Sequence, residues 1–310
     1  MGPGMGETDR DGCAFVSGGS SGIGLAVALM LARRYRRIGL FARDRNRLQM
    51  AAQRIREAMP GTNVCCYAVD VADAAAVTQA VAAAVAELGP PCRVVLSAGM
   101  VDLGETGSLT EAAHHRAMDV NYFGSLWMLR AVLPHLGPGA AIGLIGAAGG
   151  IIGIYGYAAY APSKFALRGL ADILRVELAG REIGVTLCLP PDTETPMLER
   201  EERERSEVTS RMAAGAPRVT ADTVARALIH GMDRGRYLVF PSWSVRLMWW
   251  LTPVLVPLLQ RRQRRLLQQV PPMSAHVFAD DMDEHRQDAP CEEADREDKR
   301  ERQEDPRIGR

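Results

Sequence analysis

Between residues 13 and 240, short apolar runs alternate with longer amphipathic stretches. The runs at 13–17, 37–41, 63–69, 93–97, 141–146, 185–189 and 237–240 carry few charges, as strands covered on both faces do. Between them, 25–35, 74–88, a stretch opening near Tyr160, 198–212 and 221–234 carry helical patterns. Strand–helix alternation of this kind predicts an α/β fold, a doubly wound parallel sheet of about seven strands flanked by helices. The Glu/Arg mixture of 198–212 reads as one solvated helix, a movable lid.

The first run ends in Gly18-Gly19-Ser20-Ser21-Gly22-Ile23-Gly24 and passes into a helix. Strand, glycine-rich turn and helix is the Rossmann context for a dinucleotide: glycines let backbone approach a pyrophosphate, and a helix N-terminus offers N–H donors. The second run ends in Ala42-Arg43. A carboxylate there would bind free ribose hydroxyls, whereas an Arg accommodates a 2′-phosphate, so Arg43 favours NADP over NAD. Arg45 and Arg47 read as helix surface. Asp70, closing the third strand with Val71, is placed to bond an adenine amino group or to cap the next helix, where Asp73 is the better cap. Ala98-Gly99 lets the fourth strand pass close to a ligand.

Tyr160 and Lys164, four residues apart, share one helix face. An ammonium beside a phenol favours its anion, so Lys164 is expected to lower the Tyr160 pKa and make it a proton donor to a carbonyl. Lys164 and Lys299 are the only lysines among 37 cationic residues, which suggests that a compact ammonium is needed here. Pro162 belongs in a first turn. Asn121, in an otherwise apolar helix, is expected to bend it and to hold a water linking the Lys to solvent.

Zero formal net charge gives no global pull toward nucleic acid, so any membrane affinity must be local. The six cysteines lack metal-ligand spacing and five fall in apolar runs, so reduced, buried thiols in a cytosolic compartment are expected. His114 and His115 read as helix surface, and no metal is assigned. Residues 1–11 lack an apolar signal core, and Gly6 stands where myristoylation wants Ser or Thr.

Taken together, the Ser17–Gly24 turn, Asp70, Asn121 and the Tyr160/Lys164 pair resemble the short-chain dehydrogenase/reductase family over about residues 11–240. Leu189-Pro190-Pro191-Asp192-Thr193-Glu194-Thr195-Pro196, and the stretch from Ala159-Tyr160 to Gly169-Leu170, further resemble the 3-ketodihydrosphingosine (3-ketosphinganine) reductases within it. That resemblance implies NADPH-dependent reduction of 3-ketosphinganine to sphinganine. It implies Tyr160 as general acid, Lys164 on the nicotinamide ribose and Asn121 in a proton relay. Gly18, Gly22 and Gly24 would cradle pyrophosphate, Ser20 and Arg43 would meet the 2′-phosphate, Asp70 would read adenine, and Thr195 would hold the carboxamide. Ser17, Ser21, Ile23, Val71, Ala98, Gly99, Pro190 and Thr193 complete the implied NADP(H) site. A homodimer or homotetramer is the family's implied state.

Three departures stand out. Ser17 replaces a Thr and keeps the hydroxyl, and Leu96-Ser97 replaces an Asn-containing pair. Ala147 stands where the family carries its catalytic Ser, with no hydroxyl at a neighbouring position. One lost oxyanion donor typically costs about 10²–10³ in rate. Three readings follow: a working lipid-ketone reductase, a reductase of another lipophilic carbonyl such as a steroid or 3-ketoacyl group, and a weakly active NADP-binding pseudoenzyme.

Beyond the NADP-binding domain (11–242), residues 243–270 form an apolar and basic segment, and 271–310 a charged tail expected to be disordered. The uncharged part, 247–259, is shorter than the ~20 residues that cross a bilayer. Clustered Trp followed by Arg261, Arg262, Arg264 and Arg265 predicts a membrane surface engaged through 243–265 on the cytoplasmic face. A helix packed on the protein body or on a second subunit is the alternative.

Overall fold

The computed structural model describes residues 11–214 and 216–269. The charged tail, with Cys291, lies outside the described residues, as does the N-terminal decapeptide. In chain order the elements are β1 (Cys13–Ser17), α1 (Gly22–Ala32), β2 (Arg37–Ala42), α2 (Arg45–Ala58), β3 (Asn63–Ala68), α3 (Ala74–Leu88) and β4 (Arg93–Leu96). There follow α4 (Glu111–Met118), α5 (Gly124–Val132), β5 (Ala141–Ile145), α6 (Tyr160–Glu177), β6 (Gly184–Cys188) and β7 (Asp192–Glu194). Then come α7 (Pro196–Glu204), α8 (Glu207–Ala213), β8 (Arg218–Thr220), α9 (Ala221–Asp233), β9 (Leu238–Val239) and α10 (Trp243–Leu267).

Seven strands form one sheet, in the order β3-β2-β1-β4-β5-β6-β9, and every pairing in it is parallel. Alternate residues of β1 face opposite ways: Cys13 and Phe15 join a core with α3, α5 and α6, while Ala14 and Val16 join one with α1, α2 and α9. Both faces are therefore covered, which is why the runs read as continuously apolar. Each fully buried Phe or Leu among them stabilises the fold by about 1.5–3 kcal/mol. The strand order reverses between β1 and β4, and a crevice for ligands opens at the carboxyl ends of strands there.

Four expectations need correction. First, α1 starts at Gly22, three residues before the expected Leu25, and ends at Ala32, so its N-terminus lies inside the glycine motif. Second, the predicted single helix 198–212 is two, broken at Arg205, whose guanidinium turns inward to Asp192 and Glu201. Third, the loop after β6 pairs with the stretch before α9 as a small parallel ribbon, β7 with β8, that the pattern did not reveal. Fourth, only Cys13 and Cys188 of the five described cysteines are buried; Cys65, Cys66 and Cys92 are half-buried.

The C-terminal segment forms one helix, running through Pro253 and Pro257. One face packs on the body: Val245 is buried, the Arg168 guanidinium lies 4.2 Å from the Trp249 ring centre, and the Gln263 side chain accepts a hydrogen bond from the Tyr155 backbone N–H at 2.9 Å. Trp243, Leu247, Trp250, Leu251, Val254 and Leu258 stand exposed at helical spacing. Among the described residues, no helix is long and apolar enough to cross a membrane.

Candidate active site

A cavity of about 600 Å³ runs along the carboxyl ends of the strands. At one end lie the turn after β1 and the start of α2; at the other, the start of α6 and helix α7. Gly18, Ser20, Ser21, Gly22, Ile23, Arg43, Asp70, Val71, Ala98, Gly99, Tyr160, Lys164, Pro190, Thr193 and Thr195 all line it. Ser17, Gly24 and Asn121, also expected at the site, are not in its wall. They stand behind it. Ser17 Oγ accepts from the backbone N–H of Ser97 and of Ala98, at 3.2 and 3.3 Å, tying the ends of β1 and β4 together. A Cβ on Gly24 would lie 2.2 Å from the Gly18 carbonyl oxygen, so glycine is what lets α1 start this close to the turn. Gly18 adopts φ +67° and passes against Ser97 and Ala98, where any side chain would collide.

At the β2 end, Arg43 is largely exposed and 4.0 Å from Asp70. Asp70 accepts from the Ala72 N–H, and Asp73 caps α3. Asp44 also lines the cavity, but its carboxylate caps α2 by accepting from the Arg47 N–H at 3.0 Å. Arg47 is exposed on the surface of α2, as expected, and also borders the cavity. His115, in contrast, is on the helix surface beside Glu111. Among the described residues no cluster could hold a metal ion.

At the other end, α6 begins at Tyr160, with Pro162 in its first turn. Lys164 follows one turn later, 5% exposed, and its Nζ donates to the Ile145 carbonyl at 3.2 Å. Asn121 is fully buried in a five-residue π-helical segment, Asp119–Phe123, between α4 and α5, the irregularity expected of a buried amide. Its Nδ2 donates to Met100 O and Ser163 Oγ, and its Oδ1 accepts from the Met100 N–H at 2.8 Å. A Cβ on Gly99 would stand 3.1 Å from Asn121 Oδ1 and 3.5 Å from Lys164 Nζ, so both side chains converge on that glycine.

The electrostatics depart from expectation. Burial holds the Tyr160 phenol well above its ordinary pKa, and the carboxylates of Glu201 and Asp192 raise it further. Lys164 Nζ stands 5.6 Å from the Tyr160 ring centre. Burial pushes the ammonium itself down to about 8. Desolvation and two carboxylates thus outweigh the cation that was expected to lower the phenol's pKa. Tyr160 is protonated at neutral pH, the form that can donate.

Ala147 lines the cavity and leads a short 3₁₀ turn, Ala148–Gly150, without a side-chain cap. The hydroxyls of Thr193 and Thr195 are turned to backbone carbonyls, and Thr195 also caps α7. Tyr157, Asp192 and Glu201 line the cavity too and were not singled out from the sequence. A Glu within a Glu/Arg run looks like any solvated charge; the hydrogen bond from the distant Tyr157 hydroxyl is what distinguishes this one. Ile154, Met197 and Leu198 add apolar wall.

The family described as short chain dehydrogenase matches residues 12–206. This chain belongs to the short-chain dehydrogenase family. Its relatives include a 3-dehydrosphinganine reductase of Arabidopsis thaliana, 37% identical over 232 residues that cover 73% of this chain and 69% of the relative. A 3-ketodihydrosphingosine reductase of Bos taurus is 32% identical over 227 residues, 72% of this chain and 68% of the relative. Among solved structures, an actinorhodin polyketide ketoreductase with NADPH superposes with a TM-score of 0.67 at 26% identity, over 75% of this chain and 97% of that one. A dehydrogenase/reductase of Sinorhizobium meliloti gives 0.64 at 29% identity, over 74% and 94%. The short-chain dehydrogenase described here is an oxidoreductase acting on a carbonyl or hydroxyl group with a nicotinamide cofactor. Its residues fit that cofactor: the cavity is long enough to join the glycine turn to Tyr160, and Gly18 and Gly22, both at positive φ, leave backbone open to the cavity at those two positions.

Proposed function

We propose that this protein reduces 3-ketosphinganine to sphinganine with NADPH. The observation that carries the reading is one cavity holding the glycine-rich turn and the Tyr160–Lys164 pair, in a chain similar to several reductases named for that ketone. Gly18 and Gly22 would lie against the pyrophosphate, Ser20 and Arg43 at the 2′-phosphate, Asp70 at adenine, and Thr195 at the carboxamide, turning from its cap on α7. The bound nicotinamide supplies the hydride. As the carbonyl oxygen gains charge, Tyr160 gives it the phenolic proton. Lys164 holds the ribose and places its ammonium where the phenolate forms. Asn121, fixed by Met100 and Ser163, keeps Gly99 and Lys164 in register for a relay that reprotonates the phenol.

The test is NADPH oxidation by purified protein with 3-ketosphinganine, against a panel of steroid and 3-ketoacyl substrates. Turnover of the panel without 3-ketosphinganine would transfer the activity to another lipophilic carbonyl. Cofactor binding with no turnover on any ketone would leave the pseudoenzyme, the reading that Ala147 favours.

Arg43 is the residue proposed to select NADPH, since the Asp44 carboxylate is occupied in capping. Arg43→Ala is expected to raise the KM for NADPH about tenfold or more, the worth of one charge-assisted hydrogen bond, and that for NADH little. Equal rises for both would refute a 2′-phosphate contact.

The lowered Lys164 pKa sets a pH limit. Measured at limiting cofactor, kcat/KM reports the free enzyme and is expected to fall as pH rises through about 8, where the ammonium loses its proton. Stability should move the other way. An unfolded Lys keeps its proton to about 10.4, so between that pH and the folded value the unfolded chain binds more protons and stability rises with pH. A flat kcat/KM from pH 7 to 9.5, within the ~10.4 limit of an ordinary Lys, would contradict the assignment.

The exposed apolar stripe of α10, ending in four arginines, supports seating on the cytoplasmic face of an anionic bilayer, where a long-chain ketone would enter from lipid. Glu at Trp243, Trp250 and Val254, which spares the packed face, is expected to release the protein from anionic vesicles in co-sedimentation. Undiminished pelleting would overturn the proposal.

A further inference from the structure

Helix α7 brings a carboxylate to the Tyr160 end of the cavity, and the reduction itself gives it no task. Glu201 lines the cavity with a side chain only 13% exposed. It is held from two sides: the Tyr157 hydroxyl donates to Oε1 at 2.5 Å, and the Arg205 guanidinium donates to the same oxygen. Arg205, its side chain 5% exposed, also pairs with Asp192 at 2.8 Å, so one element contact fixes α7, β7 and the approach to α6 together. All three bonds fall on Oε1. Oε2 accepts none among the described residues. Asp192 and Glu201 share the one guanidinium of Arg205 near the phenol of Tyr160, whose ring centre lies 6.1 Å from that of Tyr157 and 5.6 Å from the Lys164 ammonium.

A carboxylate at that place is a handicap for an ordinary ketone, because its charge opposes phenolate formation at Tyr160. It is an asset for one kind of substrate. A ketone carrying a protonated amine on the adjacent carbon would bring its ammonium within a bond or two of the reacting carbonyl, desolvated against a rigidly held oxygen with nothing else to bind. The same ammonium would offset the field that makes Tyr160 a reluctant acid. The apolar side chains of Ile154, Met197 and Leu198 in the same wall leave room for the chain beyond.

We propose that Glu201, oriented by Tyr157 and Arg205, is the specificity-determining residue that receives the ammonium of a 2-amino-3-ketone. This rests on the sphingoid reading above and adds the atom that would tell such a ketone from its amine-free counterpart.

The experiment compares kcat/KM at saturating NADPH for 3-ketosphinganine and for the 1-hydroxy-3-ketone of the same chain length, which lacks only the amine. The wild type is expected to prefer the amine by about tenfold or more, the range of a hydrogen bond to a charged group. In Glu201→Gln that ratio should collapse toward one, and in Glu201→Asp, which keeps the charge, most of it should persist. A Gln variant that loses both activities in equal proportion, with the ratio intact, would reduce Glu201 to a structural strut of the lid and overturn the proposal. Should the Gln variant not fold, a wild-type ratio near one would overturn it alone. Turnover of the amine-free ketone with none of 3-ketosphinganine would remove the sphingoid reading itself, a different result from an intact ratio in the variant.

Discussion

Tyr160→Phe is expected to lower kcat for ketone reduction by about 10²–10⁴, the usual contribution of a positioned general acid, while NADPH still binds. The substitution removes one oxygen and keeps the ring that packs beside Tyr157 and near Lys164, so fold and cavity shape should persist. Its distinguishing mark is the split between steps. Fluorescence titration with NADPH should give an unchanged Kd, and single-turnover mixing should show hydride transfer slowed. The large effect follows from burial: around Tyr160 the hydroxyls of Thr193 and Thr195 are committed to backbone and that of Tyr157 to Glu201, so no neighbour stands ready to replace it. A variant keeping more than about a tenth of the wild-type kcat would place the proton donor elsewhere, since the least general-acid contribution expected is ~10².

Ala147→Ser is expected to raise kcat, by up to about 10²–10³ if the new hydroxyl reaches the developing oxyanion. Ala147 has extended backbone, φ −162° and ψ 163°, which Ser adopts without strain, and it leads a short turn that has no side-chain cap. Added Oγ could also be drawn to a backbone N–H of that turn, as Ser at an N-cap is, which would raise stability and leave kcat where it was. The two outcomes separate cleanly in a thermal melt run beside the assay. A gain in kcat supports an active reductase working below its family's rate. No turnover in either protein, with NADPH bound by both, supports the pseudoenzyme.

The sheet was legible because its strands are covered on both faces, so each appears as an apolar run whatever its neighbours. The glycine turn and the Tyr160/Lys164 pair were legible because backbone approach and helix spacing tie them to fixed offsets. The start of α1 was not, since Ser21 caps it without a side-chain hydrogen bond and the apolar periodicity begins later, at Leu25. The break between α7 and α8 was missed because 198–212 contains neither Gly nor Pro. Its cause is one Arg turned inward, although Ser206, which caps α8 by accepting from the Thr209 N–H, was a signal in plain view. Strands β7 and β8 have three residues each, too short for any period to show. The pKa of Tyr160 was misjudged for a related reason: sequence offsets name the cation four residues on, and say nothing of carboxylates that α7 and β7 bring from thirty residues away or more.

Lys164 is the sole lysine between residues 11 and 269, and it sits inside the cleft with its pKa near 8. A reagent that acylates amines therefore finds one target in the folded body, placed where a nicotinamide nucleotide would shield it. Its labelling at Lys164, read by peptide mass mapping with and without the nucleotide, becomes a gauge of cleft occupancy that needs no substrate and no turnover.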